Sequence, residues 1–166
     1  MKEKTKSSHI QIRVSPEMKR KIQQSARKAG LDMSEWILNG LFPERTLEFN
    51  QLIETLVHGS NKKVAYAAIA DFLTGLSPLE FKQAVSPMPP LAALSDVEQN
   101  YLAAMLEFAA HQQGVAPPAW VRDIDPLAHP YYGAPFKSLR LHLLMSSPIP
   151  FKRRNIFIDS SLGDRV

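Results

Sequence analysis

The chain has 166 residues, of which 45% are hydrophobic and 22% are charged, and its formal net charge is +4. This length suits one small module and one further domain, and the composition is that of a globular protein. Without cysteine the chain has no disulfide framework and no thiolate metal site. No apolar run is long enough to cross a bilayer, and residues 1–8 are a polar, lysine-rich arm. We therefore expect a cytoplasmic protein that does not enter membranes.

The first predicted element is a short strand over residues 9–14. Side chains on a strand point alternately to its two faces, so this segment has one apolar and one polar face. The apolar face carries Ile10, Ile12 and Val14. The polar face carries His9, Gln11 and Arg13. A lone strand leaves its backbone groups without hydrogen-bond partners, so the pattern predicts pairing with a second chain.

Two helices are predicted after the strand. The first begins at Pro16, because Ser15 is a good capping residue and proline is tolerated at the first helical position. Gly30 ends it, since glycine accepts the left-handed conformation of a helix cap. Ser34 is the predicted cap of the second helix. A connection of about four residues makes the two helices fold back on one another.

This order of one strand and two helices resembles the ribbon-helix-helix family of the MetJ and Arc type. In that family two chains pair their N-terminal strands and lay the ribbon into the major groove of DNA. The resemblance implies a homodimer on an inverted repeat of double-stranded operator DNA, with His9, Gln11 and Arg13 as base readers. Arginine suits guanine and glutamine suits adenine. It also implies that the start of the second helix holds a phosphate through free amides, here at Met33, Ser34 and Glu35.

Charge is unevenly distributed along the chain. Residues 1–42 hold nine Lys or Arg and four Asp or Glu, a balance of +5, so residues 43–166 come to −1. Positive charge is thus concentrated where a phosphate backbone would need it. The alternative is a capped helical hairpin with solvated lysines, an interaction module that never meets DNA.

Beyond residue 43 the pattern predicts a second, all-helical domain. Apolar spacing indicates four helices. The first covers residues 44–58, and the second has Ser60 as its predicted cap and ends near residue 75. The third follows Ser77 and ends at about residue 85, and the fourth follows Ser95 and ends at residue 114. Capping boxes open the last two, with Ser77 and Ser95 as the capping residues. The predicted fold class is mainly α, with a ribbon-helix-helix module in residues 1–43 and a helical partner-binding domain in residues 44–166.

A proline- and aromatic-rich arm is predicted from about residue 115, with a short helix near residues 136–145. Trp120, Tyr131 and Tyr132 are expected to wrap the helical core. For residues 148–166 two arrangements stay open, a packed segment or an exposed arm with apolar anchors and a basic rim for an acidic partner. The residues predicted to bind that partner are Phe151, Lys152, Arg153, Arg154, Asn155, Ile156 and Phe157.

Residues 150–159 resemble the C-terminus of bacterial antitoxins that are paired with nucleotidyltransferase-type toxins. Together with the DNA-binding module, this resemblance implies an antitoxin of a type II toxin–antitoxin system. Such a protein represses its own operon as a dimer and neutralises a cognate toxin through its C-terminal domain. The alternative is a plasmid-type accessory or copy-control DNA-binding regulator without a toxin partner.

We expect neither catalysis nor a bound cofactor or metal. The five histidines are scattered without ligand spacing: His9, His58, His111, His129 and His142. No glycine-rich phosphate loop occurs. Asp123 and Asp125 precede a proline turn, where capping or solvation explains them. His129 lies beside two tyrosines, yet no nucleophile with a base follows from the pattern.

Overall fold

The computed structural model describes residues 11–28, 30–41 and 44–159. The chain divides into two compact units, Met1–Leu38 and Asn39–Val166. Within the described residues there are eight α-helices and one sheet of two short strands. The predicted, mainly helical fold class is therefore confirmed. The domain boundary after residue 43 stays a prediction.

The first unit contains α1 (Pro16–Lys28) and the start of α2 (Met33–Leu41), the two predicted helices. Helix α1 begins where the sequence places it, because the amide of Met18 donates to Ser15 Oγ at 3.2 Å. At its end Gly30 has a φ of +69°, which favours glycine. The amides of Gly30 and Leu31 donate to the carbonyls of Arg27 and Ala26, the pattern of a Schellman cap.

The cap of α2 differs from the prediction. Asp32, not Ser34, precedes the helix: its Oδ1 accepts from the Glu35 amide at 2.8 Å, and Glu35 Oε2 accepts from the Asp32 amide at 3.2 Å. This reciprocal box needs an acceptor three residues before a glutamate, and Asp32 meets that spacing. Ser34 therefore lies inside the first turn.

Residues 11–14 belong to no helix or strand of the single chain, while His9 and Ile10 lie outside the described residues. A strand is defined by its ladder of hydrogen bonds to a neighbour. The predicted strand needs a second chain for that ladder, so its formation stays a prediction.

The second unit begins with four helices whose ends follow local signals. They are α3 (Glu44–His58), α4 (Lys62–Gly75), α5 (Pro78–Val85) and α6 (Asp96–Gln112). Both predicted capping boxes are confirmed, with Ser77 accepting from the Glu80 amide and Ser95 accepting from the Glu98 amide, each at 3.4 Å. The cap of α4 is Asn61 instead of Ser60, since Asn61 Oδ1 accepts from the Val64 amide at 3.3 Å.

The core of the second unit surrounds α6. Helix α3 packs on α4 and α5, and α6 packs on α4. Leu102 and Leu106 of α6 are fully buried, as are Phe49 and Ile69 from the neighbouring helices. The predicted wrap holds for Trp120, which lies in a short 3₁₀ helix, is 6% exposed, and donates from its indole nitrogen to the Val85 carbonyl at 2.9 Å.

The end of the described chain contains α7 (Arg140–Ser146), α8 (Ile149–Arg153), β1 (Tyr131–Tyr132) and β2 (Ile156–Phe157). The two strands pair in parallel, with Tyr131 opposite Ile156. Asn155, with a φ of +59°, turns the chain from α8 into β2. Neither this sheet nor α8 was predicted, because strands of two residues have no alternation to detect and α8 is a single short turn.

Residues 148–159 pack against the domain and do not form an exposed arm. Helix α8 contacts α6, and β2 contacts α7 and α8. Phe151, Ile156 and Ile158 are at most 4% exposed. Of the two arrangements that the sequence leaves open, the described part of this segment adopts the packed one, because its apolar side chains complete the core around α6.

Candidate nucleic-acid interface

The segment before α1 presents both of its faces to solvent. Gln11 and Arg13 are exposed, as expected for base readers. On the other face, Ile12 is 55% exposed and Val14 is 43% exposed. An alternating strand normally buries one face. Within the single chain the apolar face of this segment is therefore uncovered.

The surface of α1 adds positive charge close to this segment. Its five cations are all exposed: Lys19, Arg20, Lys21, Arg27 and Lys28. Lys21 forms an exposed ion pair with Glu17 at 3.1 Å, and such a pair is weak and readily exchanged for another anion. The first described unit therefore offers a strongly basic, solvated surface, and a dimer would double it.

The start of α2 offers fewer amides than expected. The first backbone bond of the helix runs from the Trp36 amide to the Asp32 carbonyl at 3.0 Å. The amides of Met33, Ser34 and Glu35 therefore precede the helical ladder. Because the Glu35 amide donates to Asp32 Oδ1, Met33 and Ser34 are the two predicted donors that the cap leaves available. The carboxylate of Asp32 also weakens the attraction of this helix end for an anion.

The predicted partner-binding residues do not share one exposed surface. Phe151, Ile156 and Phe157 are buried, Lys152 and Asn155 are half-buried, and Arg153 is exposed. Asn155 donates from its side chain to the Leu127 carbonyl at 2.9 Å. The partner-binding role of these residues stays a prediction. Most of them also hold the domain together.

Arg154 is the most deeply placed charge of this segment, at 5% exposure. Its guanidinium donates to Glu107 Oε1 at 2.6 Å, to Asn100 Oδ1 at 3.2 Å, and to the carbonyls of Val121 and Ile124 at 2.8 and 3.1 Å. A buried cation of this kind needs such partners to offset its lost hydration. Arg154 therefore joins the C-terminal segment to α6, to the 3₁₀ helix and to the residue that follows it.

A row of aromatic rings lies between α4, α6 and α8. The ring centroids of Tyr66 and Tyr101 are 4.2 Å apart, and those of Tyr101 and Phe151 are 5.2 Å apart. Burial raises the pKa of Tyr101 to about 12, and it raises the pKa of Tyr66 as well, with a further contribution from the charge of Glu98. Both phenols therefore stay protonated at alkaline pH values at which a free tyrosine ionises, and they act as packing groups.

Titratable groups of the described residues do not assemble into a metal site: no group of three or more His, Asp or Glu could hold an ion there. A shallow cavity of about 340 Å³ lies between α7 and the end of β2. It is lined by His142 and Asp159, whose side chains are 3.5 Å apart.

Comparison with known proteins gave a family match at the N-terminal end of the chain. Residues 4–44 match the family model for NikA-like proteins, described as mobilization protein NikA. No curated protein and no solved structure matches the chain. None of the helices in the described part of the chain has the length and apolar character to span a membrane. The similarity thus covers residues 11–14, α1 and α2.

Proposed function

We propose that this protein is a dimeric DNA-binding regulator of the mobilisation or plasmid-accessory type, which acts by binding and not by catalysis. The observation that carries the proposal is the exposure of Ile12 and Val14 in the single chain. Pairing of this segment with its copy would bury the apolar face and turn Gln11 and Arg13 toward a major groove. The pairing would also satisfy the backbone groups of residues 11–14.

Two further observations support the proposal. The first is the charge of residues 1–42, which is +5 per chain and would be +10 per dimer, enough to drive phosphate binding with a strong salt dependence. The second is the family match over residues 4–44, whose description names a mobilization protein. We place His9 beside Gln11 and Arg13 among the base readers on the strand alternation alone.

The antitoxin function is the weaker candidate. It depends on the resemblance of residues 150–159 to antitoxin C-termini, and in the described structure most of this segment is buried against α6. The family match concerns the other end of the chain and names mobilisation. A purification of the tagged protein from its host at moderate salt, followed by mass spectrometry, separates the two. A stoichiometric toxic partner encoded next door would favour the antitoxin, and relaxation or replication proteins would favour the accessory regulator.

The proposal is tested by binding to a labelled duplex taken from the region upstream of the protein's own gene. The variant is Arg13→Ala, with Arg122→Ala as the control, since Arg122 is an exposed arginine of the second unit. Each bidentate base contact contributes about 1–3 kcal/mol, and a dimer has two such contacts, so Arg13→Ala should weaken specific binding at least about 30-fold. Light scattering should give dimers for both variants.

Equal binding by Arg13→Ala and Arg122→Ala would remove Arg13 from the base readers. Equal weakening on the upstream duplex and on an unrelated duplex would make Arg13 a phosphate contact instead. In that case the DNA-binding proposal would survive and its assignment of base readers would not.

A further inference from the structure

Helix α7 is apolar on two opposite sides, and only one side is covered. Leu143 points into the domain and is 3% exposed. Leu141, Leu144 and Met145 are 70%, 40% and 76% exposed. With about 100° between successive residues, these three side chains lie within roughly a quarter to a third of the helix circumference, opposite Leu143. The outward side of α7 is therefore a continuous apolar strip.

Other large apolar side chains are exposed close to both ends of the helix. Phe136, before α7, is 66% exposed, and Ile149, at the start of α8, is 65% exposed. Lys152 Nζ donates to the Met145 carbonyl at 2.8 Å and ties the two helices together. We call the five side chains the α7 surface: Phe136, Leu141, Leu144, Met145 and Ile149. Clusters of exposed apolar side chains of this size usually mark an interaction site.

The exposed charges beside the α7 surface are mainly positive. Residues 126–158 contain no Asp or Glu and five Lys or Arg. Arg154 is buried against Glu107, whereas Lys137, Arg140 and Arg153 are exposed. The Arg140 guanidinium lies 4.7 Å from the centre of the Tyr132 ring, which holds it beside α7. A carboxylate is also present, since Asp159 lies 3.5 Å from His142 of α7. An apolar centre is thus bordered mainly by cations.

We propose that the α7 surface binds an acidic, amphipathic helix of a partner protein. The apolar side chains of such a helix would cover Leu141 and Met145, and its carboxylates would meet the basic border, the arrangement of a complementary interface. The inference goes beyond the proposed function, because it does not depend on DNA binding by the first unit. The apolar side chains that it assigns lie outside the segment 151–157.

Two other occupants fit the surface less well. A second copy placed by two-fold symmetry would bring each chain's Lys137, Arg140 and Arg153 toward those of its mate, and like charges disfavour that contact. Nucleic acid would meet the cations, but it offers no apolar groups for an aliphatic centre and prefers aromatic stacking platforms. A protein helix supplies both kinds of contact at once.

The probe is a fluorescent 20-residue peptide with leucines at helical spacing on one face and glutamates elsewhere. The matched peptide has lysine in place of every glutamate. We expect the full-length protein to bind the acidic peptide at least 10-fold more tightly than the lysine peptide. The affinity for the acidic peptide should fall as salt is added.

The variant Leu141→Ser/Met145→Gln removes the centre of the surface, and Leu79→Ser/Met88→Gln is its control. Leu79 and Met88 are 44% and 60% exposed and lie elsewhere in the second unit. The first variant should lose at least 10-fold in affinity for the acidic peptide, and the control less than 2-fold. Circular dichroism establishes that both variants are folded, and a duplex-binding assay reports separately on the first unit.

Several results would overturn the inference. One is equal affinity for the two peptides, and another is equal behaviour of the two variants. Binding of anionic vesicles or of DNA that only Leu141→Ser/Met145→Gln abolishes would assign the surface to those ligands. A change of oligomeric state in that variant alone would assign it to a second copy. Peptide binding that arises only after removal of residues 160–166 would assign it to the chain's own C-terminus.

Discussion

The two units of this chain differ in how far their apolar and charged residues are buried. In the second unit, α6 and its neighbours bury Leu102, Leu106 and Ile156 completely within one chain. In the first unit, Ile12 and Val14 stay exposed although they alternate with polar residues in the manner of a strand. The comparison indicates that the second unit is stabilised by its own contacts, whereas residues 11–14 of the first unit leave an apolar face uncovered.

Arginine shows the same difference. Arg13 is exposed, while Arg154 is 5% exposed and donates to Glu107, Asn100 and two carbonyls. Each guanidinium has the same donors, and burial decides whether they hold the fold together or remain available to a ligand. Residue type alone therefore does not separate a DNA reader from a structural clamp.

The largest expected effect is on dimer formation by the first unit. Ile12→Asp should dissociate the proposed dimer, because burial of an isoleucine contributes about 1.5–3 kcal/mol per chain. Loss of this burial from both chains of the dimer corresponds to an increase of about 10²- to 10⁴-fold in the dimer dissociation constant. Sedimentation equilibrium measures this change. Val64→Asp is the control, since Val64 is 62% exposed on α4. A dimer that tolerates Ile12→Asp would place the interface elsewhere.

The next largest expected effect is a loss of stability in the second unit. Arg154→Met leaves the half-buried Glu107 without its cation and the Val121 and Ile124 carbonyls without this donor, and it should cost about 3–5 kcal/mol of unfolding free energy. Urea denaturation followed by tryptophan fluorescence measures the change, because Trp120 lies in the affected core. Its neighbour provides the control: Arg153→Met alters an exposed residue and should change the free energy by less than about 0.5 kcal/mol. Similar values for the two variants would mean that the Arg154 bonds add little net stability.

A smaller effect depends on pH. The pKa of Tyr101 is raised by burial to about 12 from an ordinary value of 10.0. The stabilisation that comes from this difference in pKa is therefore complete below pH 10 and is lost as the pH rises toward 12. At pH 11 the free energy of unfolding is lower by about 1.4 kcal/mol, which is equivalent to one pKa unit. Tyr101→Phe should remove that share of the alkaline loss in urea titrations at pH 9 and 11. An unchanged pH dependence would contradict the burial of this phenol.

The smallest expected effect concerns the contribution of the start of α2 to DNA affinity. Asp32→Asn keeps a side-chain acceptor for the Glu35 amide and removes a negative charge from the start of α2. If this helix end holds a phosphate, DNA affinity should rise by about 0.3–1 kcal/mol per helix at low salt. Asp32→Ala also removes the cap and should cost about 1 kcal/mol of stability. A duplex affinity that is insensitive to Asp32→Asn would show that α2 does not contact the phosphate backbone.

Local signals made much of the fold predictable. Ser15, Gly30, Ser77 and Ser95 act within a few residues of their own position, so their spacing alone locates helix ends. The shift from Ser34 to Asp32 has the same origin. Both residues are good capping residues, and the position of Glu35 decides between them.

Long-range contacts were not predictable in this way. The pairing of β1 with β2 joins residues 25 positions apart in register, Tyr131 with Ile156. Arg154 reaches Glu107 across 47 positions. In the sequence the first feature is only a pair of tyrosines and the second is only a run of basic residues, and neither shows its distant partner. The α7 surface was missed for a related reason: an apolar helix of seven residues does not reveal which of its sides is covered.

We propose that two chains together bind one DNA site through the N-terminal segment. Sedimentation of the full-length protein with a labelled upstream duplex, over a range of salt concentrations, tests this claim. We expect two chains per site and an affinity whose logarithm falls linearly with the logarithm of salt concentration. Absence of duplex binding even at the lowest salt would contradict the claim and leave the first unit as a protein-interaction module.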